Sequence, residues 1–295
     1  MSKATWLPLR DVQFDSGNGP LPRQATGGRG DARSRRADER GSAGWTGHDT
    51  GASVAEVLRV LHRDDLVLAI DKPAGVSTTP GRGREGEPAL SALVREIAPG
   101  ALPVHRLDRD TTGVVLFALG AEAHRALNAA FESRRAEKVY FALVRGDLAS
   151  EQRCEQALAA GRRGTMRVAR PGEGVAARTD IAPLERFGSF TSCECRPRTG
   201  RTHQVRVHLA ALGHPLAVDP RYGEPGPLLR EELDPRAARP AEPALARTPL
   251  HASSLRVPHP SGRGWLLVES PLPADMAGAL ELLRAARRAH APGCR

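Results

Sequence analysis

The run Leu66-Val67-Leu68-Ala69-Ile70 is apolar at every position, which predicts a strand buried on both faces; Lys72-Pro73 and Gly75 end it. A loop is expected over 77–88, where Pro80, Gly81, Gly83 and Gly86 cluster. Val114-Val115-Leu116-Phe117-Ala118-Leu119 predicts a second buried strand. Across 121–136, Ala123, Leu127, Ala130 and Phe131 share one helical face. Val139, Phe141 and Leu143 then alternate with Tyr140, Ala142 and Val144, the period of a strand, so Tyr140 and Phe141 point to opposite faces.

The stretch 202–212 satisfies two periods. Val205, Val207 and Leu209 alternate as in a strand, while Val205, Leu209 and Leu212 follow helical spacing. Thr202 is a suitable N-cap and Gly213 a suitable C′ residue, so a helix is expected. Residues 224–248 are rich in Pro and Arg and are expected to form an exposed insertion. Leu250-His251-Ala252 and Trp265-Leu266-Leu267-Val268 return to sheet. There is no internal repeat, and strands and helices mix without regular βαβ alternation, which predicts an α+β fold.

Residues 16–52 carry almost no large apolar side chain and are dominated by Gly, Arg, Ser and Asp. Such a segment cannot bury enough surface to offset chain entropy. Residues 1–53 are therefore expected to be a disordered tail, and 54–295 a single domain. Gly/Arg-rich tails can hold RNA without sequence preference, but a solvated appendage is the commoner case and is expected here.

With 295 residues, 40% hydrophobic and 26% charged, the composition is that of a soluble globular protein. No apolar run reaches the eighteen or so residues of a spanning helix, and the first residues lack a secretory signal. The cysteines, Cys154, Cys193, Cys195 and Cys294, form no CxxC pair. A cytoplasmic monomer that makes no membrane contact is expected. The net charge is +9, and of 43 basic residues only Lys3, Lys72 and Lys138 are lysine. Arginine suits planar contact with phosphate, although a GC-rich genome would produce the same bias, so charge alone points only weakly to nucleic acid.

Three segments could carry chemistry. Val104-His105-Arg106-Leu107-Asp108-Arg109-Asp110-Thr111-Thr112-Gly113 precedes an apolar strand, where an acid can be presented rigidly to a cleft. On generic grounds Asp108 would more often be a capping or salt-bridged residue. The sequence His-Arg-Leu-Asp departs from the kinase catalytic loop, and no Walker A or strand-anchored GxGxxG occurs. The second segment, Arg198-Thr199-Gly200-Arg201-Thr202-His203-Gln204-Val205-Arg206-Val207-His208, would as a helix start offer backbone N–H groups beside Arg201, His203 and Gln204, a natural phosphate site. Its histidines, with His214, are spaced by five and six and do not share a helical face, so no metal is expected. In the third, Lys138-Val139-Tyr140, the tyrosine alone reads as a half-buried strand residue.

Together these segments resemble the RluA-type RNA pseudouridine synthases. The family's His-Arg-Leu-Asp signature is matched at 105–113, with Thr112 where serine is commoner. Asp71-Lys72-Pro73-Ala74-Gly75, Lys138-Val139-Tyr140, 199–208, Gly213-His214-Pro215-Leu216, Asp219, Tyr222-Gly223, Leu250-His251-Ala252 and His259-Pro260 follow in family order across 64–272. There are departures: Val218 stands where a glycine usually precedes the aspartate, 224–248 is long, and residues 1–53 contain no recognisable S4-like domain.

The resemblance implies an α+β catalytic fold, a mixed and largely antiparallel sheet flanked by helices with a central cleft. It implies isomerisation of uridine to pseudouridine in ribosomal or transfer RNA without metal or organic cofactor. Glycosidases usually need two carboxylates, but a uracil leaving group is stabilised by its own carbonyls, so one can suffice. That one would be Asp108, attacking the ribose anomeric carbon or removing a neighbouring proton. Tyr140 would stack on the base and could help remove its carbon 5 proton; Arg206 would pair with Asp108 and keep it ionised. His105 and Arg106 would flank the target, Arg106 filling the space of a flipped nucleotide or holding a phosphate. With Thr112 and Gln204 from the same motifs, Arg198, Arg201 and His203 complete the expected RNA-contacting set. The rivals are a non-catalytic RNA-binding protein or RNA chaperone keeping the fold, and a glycosidase or nuclease, which would need a second carboxylate or a metal.

Overall fold

The computed structural model describes residues 58–81 and 89–290, all within the unit Ala43–Arg295. The expected tail, part of the 77–88 loop and Cys294 lie outside the described residues. The first half of the chain gives β1 (Val60–Arg63), β2 (Val67–Lys72), α1 (Leu90–Ile97), β3 (Ala101–Pro103), β4 (Thr112–Leu119), α2 (Ala121–Glu132) and β5 (Glu137–Arg145). The short strands β6 (Gln152–Cys154), β7 (Leu158–Ala160) and β8 (Met166–Val168) follow, then β9 (Thr179–Arg186), β10 (Phe190–Pro197) and α3 (Gln204–Ala211). Next come β11 (Leu228–Leu229), α4 (Arg230–Leu233), β12 (Pro243–Leu245), β13 (Leu250–Pro258), β14 (Trp265–Glu269) and α5 (Ala274–His290).

Ten strands form one sheet, ordered β1-β2-β4-β13-β5-β10-β9-β6, with β14 on β13 and β3 on β4. Only β4 and β13 run parallel; the other pairs in it are antiparallel. The α+β expectation therefore holds. The unbroken apolar runs of β2 and β4 arise because helices cover both faces. Leu68, Ile70, Val115 and Phe117 pack on Leu90, Leu93 and Val94 of α1, whereas Val67, Ala69, Val114 and Leu116 pack on Ala123, Leu127 and Ala130 of α2. In the second half, Ala142 and Val144 of β5 pack with Val205 and Leu209 of α3. Leu143 and Phe141, on the other face, meet Met276, Leu280 and Leu283 of α5.

Where β4 meets β13, Gly113 has φ +108, and a Cβ there would lie 2.2 Å from the Ala252 carbonyl oxygen. Both the left-handed backbone and the close approach demand glycine. Gly113→Ala is expected to lower unfolding stability by about 3 kcal/mol or more; a denaturant midpoint unchanged from wild type would contradict this close approach.

One expectation is corrected and two are extended. The 224–248 segment is exposed over most of its length, and Leu228, Leu233 and Leu245 anchor it, buried against α5. Thr202 does not cap α3; His203 is the N-cap, in a left-handed conformation with φ 54, and no side chain caps the helix. The C-terminal end agrees, because Gly213 at φ +82 donates to Ala210 and His214 to Leu209, a Schellman closure. The C-terminal segment adds α5 beyond the expected sheet.

Candidate active site

The loop before β4 is held from several directions. The Leu107 N–H donates to Thr78 Oγ1 (3.0 Å), whose hydroxyl returns to the Leu107 carbonyl (3.1 Å). Lys72 is fully buried, and its ammonium donates to the carbonyls of Pro73, Val76 and Arg109, each at 2.8 Å. Burial lowers its pKa to about 7, with Asp110 and Asp108 opposing. Arg247, paired with Asp275, donates to the Asp110 carbonyl (3.2 Å). A turn closed by the Thr111 N–H on the Asp108 carbonyl then aims the Asp108 side chain into the cleft.

Arg206 reaches Asp108 from α3. Its Nη1 donates to Asp108 Oδ2 at 3.1 Å, while Nε and Nη2 grip Asp219 in a two-point pair at 2.8 and 2.7 Å. The Asp219 carboxylate is 1% exposed and also accepts the N–H groups of Arg221 and Tyr222. Arg206 thus spans two carboxylates, one buried and fixed, the other 23% exposed at the cleft. Its guanidinium lies 5.1 Å over the Tyr222 ring. The Tyr222 hydroxyl accepts the Met166 N–H (2.8 Å) and sits 2.7 Å from His203 Nδ1. On the other side of the ring, His203 Nε2 lies 3.8 Å from Asp108 Oδ2. Burial lowers the His203 pKa, with Asp108 opposing.

Tyr140 is half-buried on the β5 face that carries Ala142. Burial, and then the negative charge of Asp108, push its phenol well above the usual range, so it stays protonated. His105 stacks on Phe131 (centroids 5.1 Å apart), and its Nε2 accepts the Leu116 N–H. Burial, then the Lys138 charge, lower its pKa from 6.5 to about 3. The unfolded chain therefore takes up this proton first as pH falls. Stability that is fully present above about pH 6.5 is expected to decline as pH falls towards 3. Melting temperature against pH should be flatter over that interval in His105→Phe; an unchanged slope would contradict a neutral buried His105.

A cavity of about 480 Å³ joins these groups, within the usual size range of small-ligand sites. Of the expected site residues, Asp108, Tyr140, Arg206, His105, Arg106, Arg198, Arg201, His203 and Gln204 line it. Arg106, Arg198 and Arg201 are exposed, and Arg198 also pairs with Asp180 at 2.8 Å. Two of the residues expected to contact RNA are engaged by the protein itself. Thr112 is 5% exposed and bonds His251 Nδ1 (2.9 Å) outside the cavity lining. Gln204 is 4% exposed, with its amide engaged by Thr199, the Arg201 N–H, the Arg178 carbonyl and Thr179; it shapes the loop and has little left for a ligand. Sequence reasoning gave no role to Asp219, Lys72, Thr78, Tyr222 or Arg247; of these, Asp219, Lys72 and Tyr222 stood in quoted motifs.

Among the described residues, no three His, Cys, Asp or Glu side chains are grouped to hold a metal ion. His208 is fully buried between Thr179 and the Gln156 carbonyl. Among the described residues, no helix is long and apolar enough to cross a membrane.

Residues 66–211 match the family model described as RNA pseudouridylate synthase. The chain is 36% identical over 285 residues to the ribosomal large subunit pseudouridine synthase D of Nitrosomonas europaea, covering 95% of this chain and 78% of the relative. It is 37% identical over 247 residues to synthase C of Escherichia coli, covering 80% and 72%. Among solved structures, human RNA pseudouridylate synthase domain containing 1 superposes with TM-score 0.58 at 28% identity, over 79% of this chain and 97% of that one. The human domain containing 4 protein shares the fold, with TM-score 0.62 at 23% identity over 76% and 92%.

Proposed function

The chain belongs to the RluA-type RNA pseudouridine synthases, and from that premise we propose that it isomerises uridine in ribosomal RNA with Asp108 as the catalytic carboxylate. The observation that carries this reading is the Asp219–Arg206–Asp108 chain, ending in a cleft beside Tyr140. Ribosomal RNA is favoured over transfer RNA because the similar curated relatives are named for the large ribosomal subunit. Such a substrate makes the cytoplasm the place of action.

In the reaction the N1–C1′ bond breaks, the electron pair stays on the uracil ring, the base turns, and C5 bonds to C1′. The C5 proton leaves and N1 gains one, so atoms and electrons balance with no external reactant. Asp108 adds to C1′ or removes the proton on C2′; either step needs an ionised, aimed carboxylate, which the Arg206 contact favours. Tyr140, kept protonated by burial, stacks on the base rather than opening the reaction as a base. His203 stands beside Asp108, while Arg106, Arg198 and Arg201 take backbone phosphates, Arg106 also filling the space of an extruded nucleotide.

Incubation with unmodified ribosomal and transfer RNA pools, followed by pseudouridine mapping, tests the substrate. New pseudouridine in the ribosomal pool is expected. Modification of transfer RNA alone would overturn the substrate assignment, and RNA binding without modification of either pool would favour the non-catalytic reading.

A further inference from the structure

Lys138 lies two residues before Tyr140 on β5 and therefore shares its face, about 7 Å along the strand. Its side chain lines the same cleft, half-buried. Among the described residues no carboxylate pairs with it, and its ammonium makes one long contact, 3.5 Å, to the Thr199 carbonyl. A Cβ on Gly200 would stand 3.3 Å from the ammonium, so the 198–201 loop closes around it. Burial alone lowers its pKa. A desolvated cation without a counter-charge is unfavourable, and a ligand anion would supply one.

A second observation stands at the end of α2. Arg134 occupies the left-handed position after the helix, φ 58, where the Arg135 N–H closes back on Ala130. Glycine is the residue that geometry favours. An arginine kept there bears backbone strain of the kind that gathers at functional sites. Its guanidinium is exposed and has no partner among the described residues.

Arg134 and Lys138 line both the active cleft and a neighbouring cavity of about 270 Å³. Arg178, Arg196 and Arg198 line that cavity as well, each balanced by Asp180 or Glu194. Its one lining carboxylate, Glu137, is paired with Arg256. The two cations without a carboxylate thus stand where the cleft opens into the second cavity.

We propose that Lys138 and Arg134 form a phosphate subsite that holds the RNA backbone next to the target uridine and leads the strand from the cleft into the neighbouring cavity. The proposal rests on the reading of the cleft as a uridine site. The spacing from Tyr140 to Lys138 is comparable to one nucleotide step, so a base stacked on the tyrosine would bring an adjoining phosphodiester to the ammonium.

The test measures dissociation constants of the full chain for a ribosomal RNA fragment at several salt concentrations. The Asp108→Asn background removes turnover. Arg134→Gly and Lys138→Met are each expected to weaken binding about tenfold and to reduce the slope of log K against log salt by about one. Arg134→Gly is the decisive variant, because glycine relieves the strain and the protein should melt at or above the parent temperature. Lys138→Arg should keep the affinity. Arg287→Ala, removing a cation paired with Glu185 on α5, controls for loss of general charge. With Asp108 present, the first two variants should raise KM and leave kcat near wild type.

Parent affinity and salt slope in Arg134→Gly and Lys138→Met would overturn the subsite. So would an equal loss in Arg287→Ala. If the wild type binds RNA but modifies none, while the two variants still lose affinity, the uridine reading fails and the subsite stands.

Discussion

Replacing Asp108 by asparagine is expected to reduce turnover by more than about 10⁴-fold, the scale seen when a reacting side chain is removed. Melting temperature and RNA affinity should stay near wild type. The amide has nearly the carboxylate's shape and can still accept from Arg206, at 3.1 Å in the native side chain. Arg206 keeps its second carboxylate, Asp219, so no buried cation is left without a counter-charge. What disappears is the negative charge at the cleft, which the proposed reaction needs as nucleophile or as base. Turnover within tenfold of wild type, measured at saturating RNA, would remove Asp108 from the chemistry.

The second large effect belongs to Arg206. Arg206→Met removes the partner of a carboxylate that is 1% exposed. Breaking a buried ion pair from one side costs about 3–5 kcal/mol, and Asp108 loses the group that aims it. Activity should fall by about 10³-fold or more, together with a clear drop in the denaturant midpoint. A denaturant midpoint unchanged from wild type in Arg206→Met would contradict the two-carboxylate account. Arg206→Lys should recover part of the stability but not the rate, because a lysine lacks the planar fork that serves both carboxylates.

The elements legible in the sequence are those whose burial is written in aliphatic residues. The runs at 66–70 and 114–119 read as buried strands because α1 and α2 cover opposite faces of that half. β10, by contrast, buries Thr191, Ser192 and Glu194 among its cysteines, so a count of apolar positions passes over it. The anchoring of the 224–248 segment is hidden for a related reason. Its three buried leucines are widely spaced among prolines and arginines, and their partner, α5, lies some thirty to fifty residues further on. The helical spacing of Met276, Leu280 and Leu283 is a signal that the sheet expectation for the chain's end leaves unused.

The site divides along the same line. Asp108, Tyr140 and Arg206, the proposed catalytic set, are legible because they sit inside recognisable motifs. What holds them is invisible locally. Thr78 clamps Leu107 from 29 residues away, Lys72 reaches Arg109 across 37, and Arg247 reaches Asp110 across 137. Thr112 and Gln204 show the converse. A polar residue inside a motif carries no local mark of whether the ligand or the scaffold engages it, and the hydrogen bonds of both go to the scaffold.

The central claim is that a single carboxylate in this cleft isomerises uridine. Release of tritium from carbon 5 of uracil in labelled ribosomal RNA, compared between wild type and Asp108→Asn with a chelator present, tests it most directly. Rapid release by the wild type and none above background from the variant is the predicted result. Equal release from both proteins, or release by the wild type that stops when the chelator is added, would contradict it.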